Sequence, residues 1–308
     1  MTRNSGIFTA FVTTAKLAGN IFMYFNLKGK HEIDSKTRFN VSLVLFTVTS
    51  LGITVFFCLK PTTLDKKAKK ITESLKQSFK VFLTRDMLFL SVFNSFVGLQ
   101  MSFRSSIYST CLGFTHQFGA DARALATVNG ISVAVGTTMG AVLVAILAKG
   151  LLKKIGRNPV VILAFLVTIV GYIIVFLNIP HMATIRQTTE WDKAFLTPNR
   201  YLAILCGFLF GVADAFQATQ LSSILGVGWR ENSESAFALT KFTQCVASFL
   251  AFTFASHLSL SSHLAILTAF GIAGTVAFYV VEQGMVEGEG KEKEVCEGDD
   301  YEKEVLDP

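Results

Sequence analysis

The sequence predicts an all-α, polytopic helical membrane protein with about eight transmembrane helices. Apolar residues make up 51% of its 308 residues and charged residues only 16%, whereas a soluble domain of this size carries more charge on its surface. The apolar residues also fall into runs of about 20, the length that crosses a bilayer as a helix. The alternating ten-residue segments of a membrane β-barrel do not occur in the sequence.

Eight apolar runs are the predicted spans. Helix is the expected conformation because lipid offers no hydrogen-bond partner to an unpaired backbone group. The first run carries Lys16 and Asn20 and ends without a small-residue cleavage site, so we expect a span there and not a signal peptide. The eight runs are Gly6–Phe25, Phe39–Leu59, Met87–Tyr108, Leu125–Leu147, Val160–Ile179, Tyr201–Leu225, Ala236–Ala255 and Leu264–Val281.

The spans divide the chain into four predicted parts. Residues 1–59 hold two spans that we expect to pack against the other six, 60–86 form a basic cytosolic linker, and 87–281 hold those six spans. Residues 282–308 form a Gly- and Glu-rich tail that we expect to be disordered. With both termini in the cytosol, most of the 28 Lys and Arg residues lie inside, which the positive-inside rule favours. Within the linker, Lys69–Phe82 has the period of an amphipathic helix, which fits either the membrane surface or a solvated linker.

The residues that usually carry chemistry exclude several function classes. The sequence contains no nucleophile–base pair, metal cluster or phosphate-binding loop, so we do not expect an enzyme or a cofactor. Basic loops beside a membrane favour contact with anionic lipid, and no nucleic-acid module is present. The expected partners are therefore the lipid bilayer and another membrane protein. No CxxC or Cys/His ligand spacing occurs among the five cysteines, Cys58, Cys111, Cys206, Cys245 and Cys296, so no disulfide or metal site is expected.

Charged residues inside the spans are the candidate functional residues, since charge is costly in lipid. Asp214 and Lys16 lie near the middle of their spans, and Lys16 is expected to need a polar partner inside the protein. Asp214 is expected to face the bundle interior with a polar group of a neighbouring span within reach, and Lys241 is a weaker candidate for that partner. Arg104 and Lys241 lie nearer the span ends, where long side chains reach the interface. Asp214, Lys241 and Arg104 each share a helix face with polar residues three or four positions away. These polar faces fit either a substrate- or ion-facing cavity or hydrogen bonds between helices. The amides on the same helix faces are Gln100, Gln217, Gln220 and Gln244.

Two pairs of glycines predict close contacts between helices. Gly136 and Gly140 are four residues apart, as are Gly207 and Gly211. This spacing places both glycines of a pair on one helix face and lets a neighbouring backbone approach. We expect the four glycines to pack helices.

Several short strings resemble a known family. They are Gly-Asn-Ile-Phe-Met-Tyr-Phe from Gly19, Tyr-Ser-Thr-Cys-Leu-Gly from Tyr108, Gly-Arg-Asn-Pro-Val-Val from Gly156 and Gly-Val-Ala-Asp-Ala-Phe-Gln-Ala-Thr-Gln from Gly211. In their order and spacing they resemble the uncoordinated-93-like family of the major facilitator superfamily. That family has twelve spans in two six-helix halves. The resemblance implies a partial major-facilitator fold, in which this chain corresponds to spans five to twelve and lacks the first four.

The resemblance also implies a location for the polar residues and two candidate functions. The family's seventh and tenth spans line a central cavity, and here they carry Arg104 and Asp214. The family has Asp and Lys at the positions of Asp214 and Lys241, whereas Gln100 and Arg104 depart from its pattern. One candidate function is a non-catalytic regulatory or trafficking subunit of another membrane protein, such as an ion channel. The alternative is a solute carrier that works by alternating access on a small solute.

Overall fold

The computed structural model describes residues 2–28, 34–59, 71–148 and 156–305, and nearly all of these residues are helical. A π-helical segment, Phe103–Ile107, joins the fourth and fifth helices into one run. The α-helices are α1 (Thr2–Leu27), α2 (Ser35–Phe57), α3 (Ile71–Phe82), α4 (Arg85–Ser102), α5 (Tyr108–Phe114), α6 (Ala122–Ala148), α7 (Asn158–Asn178), α8 (Arg200–Gly228), α9 (Ser233–Phe254) and α10 (Leu260–Val305).

Six of these helices contain a segment long and apolar enough to cross a membrane, and they confirm the all-α polytopic class. The segments are Ser35–Phe57, Ala122–Leu147, Asn158–Asn178, Arg200–Gly228, Ser233–Phe254 and Leu260–Glu287. The run Arg85–Phe114 adds a seventh when it is counted with Thr72–Phe82, to which it is bent by 87°. The remaining predicted span, Gly6–Phe25, is helical as part of α1, but α1 is not among these seven.

At two predicted boundaries the structure differs from the expectation. The span predicted as Met87–Tyr108 continues as helix to Phe114. The π-helical segment Phe103–Ile107 lies within this run and does not end the helix. The tail from Glu282, predicted to be disordered, is helical backbone as far as Val305. Glu and Lys have high helix propensity, which favours continuation of α10 beyond its apolar part. The predicted linker lies partly outside the described residues, which resume at 71.

The helices pack as a bundle around two main apolar clusters. α4 packs against α9 and α10, α6 packs against α8, and α7 bridges α8 and α10. The expectation that both N-terminal spans pack against the other six holds only for α1, which lies on α6. α2 touches α1 slightly, and none of its membrane-spanning window is buried. A helix that is apolar all round can be covered by lipid alone, so its sequence does not fix a packing face.

The two ends of the bundle are distinct. At one end, here named the α3 end, α3 contacts α9, and Arg157 Nη1 lies 2.8 Å from Glu282 Oε2. Gly156 precedes that arginine with φ +83°, a left-handed conformation that glycine adopts without strain. At the opposite end, here named the loop end, residues 179–199 connect α7 to α8, and Asn178 bonds the backbone of Asn199 in both directions. Which end faces the cytosol remains a prediction from the charge distribution.

Candidate functional site at a buried ion pair

An ion pair joins two helices in the interior of the bundle. Arg104 Nη1 lies 2.7 Å from Asp214 Oδ1, and the two side chains are only 8% and 17% exposed. Asp214 lies at the middle of α8, as predicted, and Arg104 lies about three helical turns before Phe114. Neither charge is therefore near the end of its helix.

The partner of Asp214 differs from the one that the sequence suggested. Arg104 was expected to reach the membrane interface, because its predicted span ended at Tyr108. That expectation is wrong: the helix runs on to Phe114, and the guanidinium turns inward to the carboxylate. Lys241, the weaker candidate partner, is exposed on α9 and donates a hydrogen bond to Gln244 Oε1 at 3.1 Å. A polar group from a neighbouring helix was expected beside Asp214, but its identity as Arg104 was not.

Local structure explains why the arginine lies where it does. Arg104 belongs to the π-helical segment Phe103–Ile107, and a π turn holds one residue more than an α turn. Phe103, adjacent in sequence, is 1% exposed and packs edge-to-face against Tyr172 and Phe210, with ring centroids 5.8 and 6.1 Å away. Phe210 is also one turn before Asp214 on α8. The ion pair thus adjoins an aromatic cluster that keeps water away and strengthens the electrostatic attraction.

The amides on the same faces are buried but differ in their bonding. Gln217 follows Asp214 by one turn and is 1% exposed, and neither of its side-chain polar atoms has a hydrogen-bond partner among the described residues. Gln220 is also buried. By contrast, Gln100 Nε2 donates to Thr168 Oγ1 at 3.0 Å and so ties α4 to α7. Among these predicted glutamines, Gln217 has both side-chain polar atoms buried without a hydrogen-bond partner in the described ranges. Burying an unsatisfied amide is costly in free energy.

Lys16 does not join this site. Its side chain is exposed on α1, and it forms no ion pair within the described ranges. The expectation that Lys16 points toward a polar partner inside the protein is therefore wrong for the residues that are described. One turn later, Asn20 does face α6, where its side chain lies against Gly130.

The four predicted packing glycines all lie where α6 meets α8. A Cβ on Gly211 would lie 2.8 Å from the backbone nitrogen of Thr137, and one on Gly140 would lie 2.9 Å from Ala215 Cβ. Added methyls on Gly136 and Gly207 would also collide with the facing helix. These close contacts fix the distance between α6 and α8 and so position Asp214 relative to the rest of the bundle.

Three further buried polar residues of the bundle were not among the predicted site residues. Asn129 lies against Gly207, and both of its side-chain polar atoms lack hydrogen-bond partners in the described ranges. The Tyr172 hydroxyl is likewise buried and unpaired there. Asn94 Nδ2 donates to Thr240 Oγ1 at 3.3 Å. For Asn94 and Asn129, the available signal was a single amide within an apolar run, without a charged residue or a second amide on the same helix face.

Comparison with known proteins identifies the family. The model of a family described as "Ion channel regulatory protein UNC-93" matches residues 1–279. The chain belongs to the UNC-93 family. Two relatives, both named UNC93-like protein MFSD11, come from Xenopus laevis and Xenopus tropicalis, and each is 34% identical over 307 and 306 residues respectively. Each match covers 92% of this chain and 68% of the relative. No solved structure matches the chain.

The family and the fold together confirm part of what the sequence predicted. This member of the UNC-93 family is a transporter-like, integral, multi-pass membrane protein. Within the residues that the structure describes, no three His, Cys, Asp or Glu side chains are grouped so that they could hold a metal ion. The chemistry that the site offers is therefore the charge of one ion pair and the hydrogen-bonding capacity of several buried amides.

Proposed function

We propose that this protein is a non-catalytic regulatory or trafficking subunit of another membrane protein, such as an ion channel. The observation that carries the proposal is the match over residues 1–279 to a family described by ion channel regulation. The matched region includes both partners of the buried ion pair. Association with a partner inside the membrane requires helices held in a defined arrangement, and the geometry around that pair provides one.

The arrangement of charges supports this role. A transported solute is recognised by groups that face a cavity near the bilayer midplane. Here Arg104 and Asp214 bind each other at 2.7 Å, so neither charge is left free for a solute. Two surface cavities occur at the loop end and the α3 end, and neither is lined by this pair. The pair is suited to fixing α8 against the run Arg85–Phe114.

A solute carrier is the second candidate function, and two observations favour it. Gln217 presents an unpaired, buried amide one turn from Asp214. The π-helical segment around Arg104 is a backbone form that is frequent at functional sites and can convert to α-helix. Such a conversion would change the Arg104–Asp214 contact and open a polar route beside Gln217.

The test uses cells from which the endogenous protein has been deleted. They are complemented with the wild-type chain or with a variant carrying Arg104→Met and Asp214→Leu, which replaces the ion pair with apolar groups of similar size. Channel currents and channel surface abundance are recorded by patch clamp and surface biotinylation. The regulatory proposal expects channel currents and channel surface abundance to fall on deletion and to be restored by both the wild type and the double variant, since the pair acts only through structure.

The purified chain is examined in parallel in proteoliposomes that contain no other protein. Saturable solute accumulation by the wild type, lost in the double variant, would establish the carrier and overturn the regulatory proposal. The size-exclusion profile of each protein verifies that the double variant is folded before either result is interpreted.

A further inference from the structure

The helix α3 has the geometry of a helix that lies along a membrane surface. It meets the run that begins at Arg85 at 87°, so it is perpendicular to a helix that crosses the bilayer. Leu75 and Phe79, four residues apart on one face, are each 64% exposed. A helix with exposed large apolar side chains on one face and cations on another binds at the lipid interface. A solvated linker helix would not keep these two side chains uncovered.

A cavity of about 490 Å³ lies between α3 and the turn that connects α8 to α9. From α3 it is lined by Lys76 and Lys80, and also by Glu73. Neither lysine forms an ion pair with any residue that the structure describes. Trp229 and Asn232 close the other side, and the Asn232 side chain is hydrogen-bonded to Gln77. The charged lining of the cavity thus consists of two lysines and one glutamate and carries a net positive charge.

The cationic side of α3 and its apolar side are adjacent. Lys76 and Lys80 each follow an exposed apolar residue, Leu75 and Phe79, by one position, which is about 100° around the helix. A molecule seated in the cavity can therefore place negative charge on the lysines while its apolar part lies along the neighbouring face. A phospholipid has this division between headgroup and acyl chain.

We propose that this cavity binds the headgroup of an anionic phospholipid, with the acyl chains running beside Leu75 and Phe79. The phosphate lies between Lys76 and Lys80. Phosphatidylserine suits the lining further, because Glu73 can accept from its ammonium group. The predicted cytosolic location of α3 agrees with this choice, since anionic lipids are concentrated in the cytoplasmic leaflet. The bound lipid would hold α3 against α9.

The test uses the purified full chain in nanodiscs, with phosphatidylserine as the probe and phosphatidylcholine as the neutral lipid. Lipid retained by the protein is quantified by native mass spectrometry. We expect phosphatidylserine to be retained above its share of the nanodisc lipid. The variant with Lys76→Gln and Lys80→Gln should lose apparent affinity by about 30-fold, the effect of removing two contacts between lysine and an anionic lipid. The control Lys193→Gln, in the connection between α7 and α8 at the loop end, should match the wild type.

Two further experiments test whether the ligand is a lipid and whether it binds at α3. Phe79→Ser should weaken retention of phosphatidylserine but leave binding of soluble glycerophosphoserine unchanged, which separates a lipid from a free phosphate ligand. In the wild type, a photoreactive phosphatidylserine should label the peptide that contains residues 71–84. Equal retention of the two lipids, or unchanged retention in the double lysine variant, would overturn the proposal. So would wild-type retention in Phe79→Ser.

Discussion

Replacing Asp214 with Asn leaves the guanidinium of Arg104 inside the bundle without its counter-charge. The amide oxygen of Asn still accepts a hydrogen bond, so the loss is mainly that of charge compensation. Removing one partner of a buried ion pair costs about 3–5 kcal/mol. The Asp214 side chain is 17% exposed, so the pair is not fully buried. We expect the free energy of unfolding to fall by about 3 kcal/mol, at the lower end of that range.

The assay unfolds the purified full chain by titration with SDS in mixed micelles, and it is applied to Asp214→Asn and to a double-mutant cycle. Its single variants are Arg104→Met and Asp214→Leu, and the double variant combines them. Each single variant leaves one charge buried alone, whereas the double variant leaves none, so we expect a coupling free energy of about 2–3 kcal/mol. Lys241→Met is the matched control, because it removes a charge from a membrane helix at an exposed position.

Additivity is the result that would refute this reasoning. If the losses in the single variants sum to that of the double variant within about 0.5 kcal/mol, the two side chains do not interact energetically. A loss in Lys241→Met equal to that in Asp214→Leu would likewise show that any charge removal destabilises the bundle, independently of the pair.

Three further predictions concern other contacts. Gly211→Ala should reduce the free energy of unfolding by about 1–3 kcal/mol through overpacking against α6, whereas Gly226→Ala on the same helix, with open space around it, should not reduce it. Glu282→Gln should cost about 2 kcal/mol by uncoupling α10 from the start of α7, measured in the same SDS titration, and no change would exclude a stabilising role for that ion pair. The pKa of Asp192 is lowered, chiefly by the hydrogen bond from the Thr189 backbone, so its stabilisation of the loop end is present above the ordinary Asp pKa of about 3.9 and is lost as pH falls through the lower folded value. The protection factors of the amides in residues 179–199, which are corrected for the intrinsic pH dependence of hydrogen exchange, should therefore fall at acid pH in the wild type and change less in Asp192→Asn.

The length of the apolar runs and the free-energy cost of burying polar groups in lipid account for what the sequence could predict. Apolar runs placed the membrane helices because an unsatisfied backbone group in lipid excludes most alternatives. The same cost predicted that Asp214, central in its span, would face the interior beside a polar group. The amphipathic period of Lys69–Phe82 located α3 at Ile71–Phe82. Each of these inferences depends on local composition alone.

Contacts between distant segments were not predictable in the same way. The Arg104 partner was missed because hydropathy ended the span at Tyr108 and placed the arginine near an interface, whereas the helix continues for six residues to Phe114. Nothing in the periodicity of α2 selects a packing face, since it is apolar all round. The pairing of Arg157 with Glu282 brings together residues that are 125 positions apart and depends on how α7 and α10 pack.

The π-helical segment Phe103–Ile107 has a consequence for how the run Arg85–Phe114 is compared with other sequences. One additional residue in a turn shifts the rotational phase of everything after it by about 100°. A helical wheel drawn through the whole run therefore mixes two faces, and an alignment scored without a gap would compare inward residues with outward ones beyond Ile107. Deleting Ser105 would restore a single phase by converting the segment to regular α-helix, and it would leave α5 facing α6 as before, because the π turn holds the one residue that the deletion removes. The π turn thus takes up one residue of chain length without turning α5 away from the face that packs on α6.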